Sequence, residues 1–338
     1  MKRALCIVAL AFPILALALG CSRRATSEPL EQREPTEPTE LIEQREPSEP
    51  DAALALVLRG HVDELAGKIG GRDLDHPEQL AAAADYIRAQ WQAQGYEVRT
   101  LGFMVEGREV ANLEIELPGR SPELVVIGAH YDTCMGNPGA DDNASGVAAL
   151  LELSRLLAGA SFDRTIRLVA FVNEEPPYFR DDEAMGSRVY ARGLREAGHE
   201  VSAMLSLESI GYYRDEPESQ HYPAIIAALY PDAGNFVAVV GKNGARPLVR
   251  RVVAELEAHG SIPVESIAAP ASITGIDWSD HASFWAQGWS QAVMITDTAT
   301  FRNPNYHQPS DTPDTLDYDR LAALVGALEP CVRALASL

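Results

Sequence analysis

Five short segments of this 338-residue chain carry side chains that can do chemistry together. Val125-Val-Ile-Gly-Ala-His130-Tyr-Asp132 ends an apolar run on an imidazole, with a carboxylate two residues on. Asp132 can hold the second ring nitrogen of His130, the usual carboxylate support of a metal-bound histidine. Gly139-Ala-Asp141-Asp142-Asn143-Ala-Ser-Gly146 places two acids at a tight, glycine-flanked helix start, where acids also serve as caps. Phe171-Val-Asn173-Glu174-Glu175-Pro176 again follows an apolar run. Neighbouring strand side chains point opposite ways, so both glutamates can serve one site only if the backbone turns there. A buried carboxylate pair is costly without cations beside it. Leu205-Ser-Leu207-Glu208 ends another apolar run, and Tyr306-His307 lies in a polar loop. Singly, each segment fits a cap or an exposed loop acid. Together they offer two imidazoles and several carboxylates, a nitrogen and oxygen donor set that suits zinc.

Those groups must be delivered by a scaffold, and the rest of the pattern describes one. Asp51 to Ile69 reads as an amphipathic helix, and His76-Pro77 opens another that runs through Trp91 to a stop at Gly95. Apolar runs at Tyr96–Val105, Ala111–Leu117, Leu124–Ala129 and Ile166–Val172 have the length and aliphatic content of buried strands. Val147–Leu157 is helical between two of them. Further strands are expected at Ala203–Leu207, Phe236–Val240 and Val293–Thr296, with a closing helix over Asp319–Leu335. Alternation of strand and helix predicts an α/β fold: a mixed, mostly parallel twisted sheet with helices on both faces. Sites in such sheets lie at the carboxyl ends of strands, which is where the chemical residues fall.

Taken in order, His130-Tyr-Asp132, Gly139-Ala-Asp-Asp142-Asn-Ala-Ser-Gly, Asn173-Glu174-Glu175, Leu207-Glu208, Ser279-Asp280-His281 and Tyr306-His307 resemble the two-zinc exopeptidase family. Bacterial leucyl aminopeptidases, glutamate carboxypeptidase and glutaminyl cyclases belong to it. The resemblance covers roughly residues 75–338. It implies that His130 and Glu208 bind one zinc, Glu175 and His307 the other, and that Asp142 bridges both. It also implies a cis peptide after Asp142 and Glu174 as general base. Two zinc ions bring +4 and the three carboxylates −3, so one bridging hydroxide leaves the centre neutral; Glu174 as a further ligand would overshoot. Asp280 and His281 would lie near the ligands or the substrate, or cap the helix that carries Phe284 and Trp285. His281 or a nearby tyrosine would serve the tetrahedral oxyanion. Many relatives follow the glutamate pair with Gly-Leu-x-Gly-Ser, whereas here a longer Pro176–Ser187 insert stands, so pocket preference does not transfer.

The implied activity is that of a metal-dependent aminopeptidase with two zinc ions per chain, acting on peptides. Carboxypeptidase and cyclase are the alternatives on the same fold, and a non-catalytic envelope protein the alternative outside it. A carboxypeptidase needs a cation for the substrate carboxylate, and Arg180, Arg188 and Arg302 are the candidates.

Composition bounds the partners. Lys and Arg number 28 against 49 Asp and Glu, a net charge of −21, which disfavours nucleic acid and anionic membrane surfaces. Residues 1–20 read as a secretory signal: Lys2 and Arg3, then an apolar stretch to Leu19. Leu17-Ala-Leu-Gly20-Cys21 resembles a bacterial lipobox, which implies an exported protein held in the cell envelope by a lipid on Cys21. Residues 21–50 are rich in Glu and Pro, and Leu30–Pro38 recurs as Ile42–Pro50, the composition of a disordered tether. The zinc peptidase domain is expected over 51–338, with Cys134 and Cys331 as free thiols.

Overall fold

The computed structural model describes residues 49–338, with side chains from residue 52 onward. The expected signal, Cys21 and all but the end of the tether lie outside the described residues. Helix α1 (Glu49–Val62) begins two residues earlier than the sequence reading placed it. Pro50 fits the first turn of a helix, where no amide partner is needed. The helix continues as a wider, π-type turn over Asp63–Ile69.

After α2 (Pro77–Ala93) come β1 (Arg99–Val105), β2 (Arg108–Leu117) and β3 (Gly119–His130), then α3 (Gly146–Leu156) and β4 (Phe162–Phe171). The second half runs α4 (Gly186–Glu196), β5 (Val201–Glu208), β6 (Val237–Lys242), α5 (Arg246–His259), β7 (Val264–Ala269), α6 (His281–Ala286), β8 (Ala292–Thr296) and α7 (Tyr318–Ala336). One eight-stranded sheet has the order β1-β2-β4-β3-β5-β8-β6-β7. The central β4-β3-β5-β8 strands are parallel, and β6 pairs with β7 in parallel. The β1-β2, β2-β4 and β8-β6 pairs are antiparallel. The mixed, mostly parallel α/β architecture is therefore the one expected.

Strand alternation sorts the side chains into two layers. Val125, Ile127 and Ala129 of β3, Leu205 and Leu207 of β5, and Val293 and Ile295 of β8 enter the larger core, with residues of α1, α2, α3, α5 and α7. Leu124, Val126 and Met204 face the other side, where Tyr190 of α4 and Phe284 of α6 cover them. Phe236, Ala238, Val240 and Met294 form a third apolar cluster on that same side, with Ile276. His130 and Glu208, the last residues of β3 and β5, fall on this second face.

The sequence reading did not include α4, α5 or β7. Helix α5 carries its buried residues at Leu248, Val249, Val252 and Leu256, a helical period hidden among three arginines and two glutamates. Strand β7, Val-Glu-Ser-Ile-Ala-Ala, is an edge strand with only Ala269 fully buried, so it has no apolar run to betray it.

Candidate metal centre

Three adjacent strand ends and two loops converge. His130 ends β3, Glu208 ends β5, and Asn173-Glu174-Glu175 leaves β4 two residues past its end. Asn173 has φ +58°, so the chain turns at once, as two glutamates serving one site require. Asp142 sits in the turn Ala140–Ser145 that leads into α3. The Asp142-Asn143 peptide is cis. His307 comes from the loop before α7 and also has positive φ, +57°.

Asp142 stands in the middle. Its Oδ1 lies 3.2 Å from His130 Nε2 and its Oδ2 3.1 Å from His307 Nε2. Glu208 Oε2 is 3.3 Å from His130 Nε2, and Glu175 Oε2 is 3.1 Å from His307 Nε2. Two donor groups result, sharing one carboxylate. Donors on one tetrahedral zinc, with bonds of about 2.0–2.2 Å, stand roughly 3.3 Å apart, so these spacings fit a common ion. Hydrogen bonding does not account for them. His130 Nε2, Asp142 Oδ1, Glu175 Oε1 and His307 Nε2 are buried and have no hydrogen-bond partner. Four orphaned polar atoms turned toward one another call for cations. Burial pushes the Glu174 and Glu175 carboxyls well above the ordinary carboxylate range, with Glu208 and Asp142 respectively adding to it.

The surroundings hold this geometry rigidly. Asp132 stands beside His130 as expected, its Oδ1 3.5 Å from His130 Nδ1, and has a second task. His130 Nδ1 is also 3.2 Å from the Asp132 backbone carbonyl, and the Asp132 carboxylate accepts the amides of Glu174 and Glu175, each at 3.0 Å. Asp132 thus orients the glutamate pair, because the turn at Asn173 leaves two amides that need an acceptor. Asp280 is fully buried just before α6, makes no side-chain cap and has no partner for either oxygen. Burial raises its carboxyl to about 7. His281 is also fully buried; its Nε2 donates to Ile276 O at 2.8 Å, and burial lowers its pKa to about 4. The ring is therefore neutral, with Nε2 engaged on the backbone. Its neighbour Ser279 makes the direct contact instead, donating to Glu208 Oε2 at 2.7 Å.

Several positioning groups were not singled out in the sequence. Asn143 donates to Leu207 O at 2.8 Å and accepts from Gly146 N and Ser209 N, tying the Asp142 turn to the end of β5. Asp311, four residues past His307, accepts the amides of Asp141 and Asp142. Gly139 has φ +59°, and a Cβ there would lie 2.3 Å from Asp142 O. Cys134 is a free, buried thiol whose sulphur lies within 4.8 Å of Glu175 and His307 donor atoms.

Arg72 is the largest of these omissions. Its fully buried guanidinium donates to the carbonyls of Leu65, Gly70, Tyr131, Pro138 and Gly139 at 2.7–3.0 Å. It clamps the loop that separates His130 from Asp142. Replacing it by methionine strands those carbonyls, and we expect a loss of about 3 kcal/mol or more in urea unfolding of the full chain.

Residues 112–329 match peptidase family M28 and contain every residue of the two donor groups. The chain belongs to that family. It is 42% identical over 263 residues to the uncharacterised protein YfbL of Escherichia coli (strain K12), covering 75% of this chain and 80% of YfbL. It is 30% identical over 215 residues to probable leucine aminopeptidase 1 of Trichophyton verrucosum, covering 61% of this chain and 52% of that protein. The chain thus spans about half the length of this fungal relative. BSAP, a zinc aminopeptidase from Bacillus subtilis, shares its fold with a TM-score of 0.66 at 15% identity, over 84% of this chain and 95% of BSAP. Within this M28 scaffold the longer segment after Glu175 is paired off at its surface: Arg180 bonds Asp277 at 2.6 Å and Arg188 meets Asp182 at 3.2 Å.

Proposed function

We propose that this M28 protein is a two-zinc aminopeptidase. His130, Asp142 and Glu208 would hold one ion, and His307, Asp142 and Glu175 the other. Zinc held by these residues would supply an acidified water, of pKa near ~7, and a Lewis acid for the substrate carbonyl. Glu174, outside both donor groups, takes up the proton of the attacking water and returns it to the leaving amine. Tyr306 stacks on the His307 ring at 3.8 Å and lines the adjoining cavity. Burial raises its pKa, so its hydroxyl stays protonated and can donate to the developing oxyanion.

The observation that carries the amino-terminal reading is the lining of that cavity. Its empty space, open solvent at the mouth included, is about 790 Å³, and it reaches Glu208. Its charged lining residues are Glu208 and Glu265, and no Lys, Arg or His lines it among the described residues. A substrate ammonium is drawn into such a site and a terminal carboxylate is repelled. Arg180 and Arg188 are paired elsewhere. Arg302 is buried, donating to Gln220 Oε1 at 2.8 Å and to Tyr212 O at 3.2 Å. The names of the fungal relative and of BSAP support the same reading. The leader suggests an exported envelope protein anchored through lipid on Cys21, with peptides rather than nucleic acid as partners.

Hydrolysis of peptides with free and acetylated amino termini tests this. We expect cleavage of the free peptides only, from the amino end, and its loss on treatment with a chelator. Carboxyl-terminal trimming of the blocked peptides would overturn it, as would chelator-insensitive cleavage.

A further inference from the structure

Resting on the aminopeptidase reading, we infer that Glu265 marks the far end of the cavity and selects peptides whose first residue is lysine or arginine. The sheet register carries the argument. Glu208 is in register with Thr296 of β8, Thr296 with Ala238 of β6, and Ala238 with Glu265 of β7. These four residues form one row across the sheet and point to one face. Three strand spacings put the Glu265 Cα about 14 Å from that of Glu208. The row exists because β6 and β7 run opposite to β5 and β8, which brings their amino-terminal ends to the edge where the central strands deliver the metal ligands.

The two end residues of the row, Glu208 and Glu265, are carboxylates, and all four residues line the same cavity. Between them the walls are apolar or aromatic. Tyr222 and Tyr230 stack at 5.6 Å, Trp278 and Phe301 at 6.3 Å, and Phe236 and Ile267 line the space between. Both tyrosine hydroxyls are already engaged, on Pro231 O at 2.6 Å and Ser266 O at 2.9 Å. The Glu265 side chain has no hydrogen bond or ion pair among the described residues. A half-buried carboxylate without a counter-ion, at the end of an aromatic sleeve, matches one kind of side chain: a long aliphatic stem with a cationic tip. The stem packs along the rings, the tip meets Glu265, and aromatic faces favour a cation over a neutral group. Leucine fills only the near part of the sleeve and leaves the carboxylate unpaired.

The test uses the zinc-loaded full chain and p-nitroanilides of lysine, arginine, leucine and norleucine, the last having lysine's stem without its charge. We expect kcat/KM for lysine to exceed that for norleucine by about 10–100-fold, the usual worth of a charge-assisted hydrogen bond. In Glu265→Gln that ratio should fall toward one through a rise in KM for lysine, and Glu265→Lys should shift preference to glutamate. A structural role for Glu265 would move kcat and KM for all substrates alike and leave the ratio intact. Competition between lysinamide and norleucinamide for the wild-type protein gives the same ratio without any variant. A wild-type ratio near one, or a ratio unmoved in Glu265→Gln, overturns this inference while leaving aminopeptidase activity standing. Inactivity on every aminoacyl anilide would instead sink the aminopeptidase reading, and this inference with it.

Discussion

Replacing Glu174 by glutamine is expected to slow peptide hydrolysis by about 10²–10⁴-fold while bound metal and melting temperature stay at their wild-type values. The expectation rests on where Glu174 sits relative to the donor groups. Its amide is pinned to Asp132 Oδ1 at 3.0 Å, next to the amide of Glu175 on Oδ2. The backbone therefore holds the two glutamates side by side, yet only Glu175 comes within 3.1 Å of His307. Glu174 is buried, 6% exposed, among the charges of His130, Glu208, Glu175 and Asp280. A carboxyl so placed accepts a proton readily, because burial favours its neutral form. Glutamine keeps the shape and the Asp132 hydrogen bond and removes only the basic oxygen. Steady-state hydrolysis of leucine p-nitroanilide, together with metal analysis of the purified protein, decides it. Rates within tenfold of wild type would remove Glu174 from the proton transfer, and a matching loss of metal would make it a ligand.

The same residues explain what the sequence could and could not disclose. His130 and Glu208 stand directly after apolar runs and Glu175 three residues after one, and strand ends are where a parallel sheet exposes side chains, so their types and positions are legible from pattern alone. His307 is not: it lies in a loop with no periodicity, and only its place in an ordered set of motifs singles it out. Asp132 shows a different limit. Its spacing from His130 points to the histidine it stands 3.5 Å from, but the amides it also accepts belong to a turn 42 residues away, and the demand of those amides is invisible until the turn at Asn173 is drawn. Arg72 and Asp311 escape for the same reason, since each acts on backbone groups rather than on a recognisable side-chain motif. Glu265 depends on topology. Only the reversal of β6 and β7 relative to β8 brings the start of β7 level with the end of β5, and no local pattern records strand direction.

Replacing Asp142 by alanine is expected to remove both ions, whereas His130→Ala and His307→Ala should each remove one. The two oxygens of Asp142 face different imidazoles, at 3.2 and 3.1 Å, so this carboxylate belongs to both donor groups. Without it each group keeps one imidazole and one carboxylate, Glu208 on one side and Glu175 on the other, too few for a closed tetrahedral site. Losing either histidine leaves the opposite group whole. Stability should follow the same division, because an ion that binds only the folded chain stabilises it by mass action, about 4 kcal/mol at a free concentration a thousand times its dissociation constant. Chelator should therefore lower the melting temperature of the wild-type protein strongly, that of each histidine variant less, and that of Asp142→Ala hardly at all. Metal analysis of the dialysed proteins beside chelator-dependent melting separates the possibilities. If Asp142→Ala still held one ion, the carboxylate would belong to a single site; if His307→Ala kept the wild-type metal content, the second donor group would not be a site. Either outcome would rule out the shared-carboxylate centre, because a bridge is the one arrangement in which a single deletion empties two sites and two separate deletions empty one each.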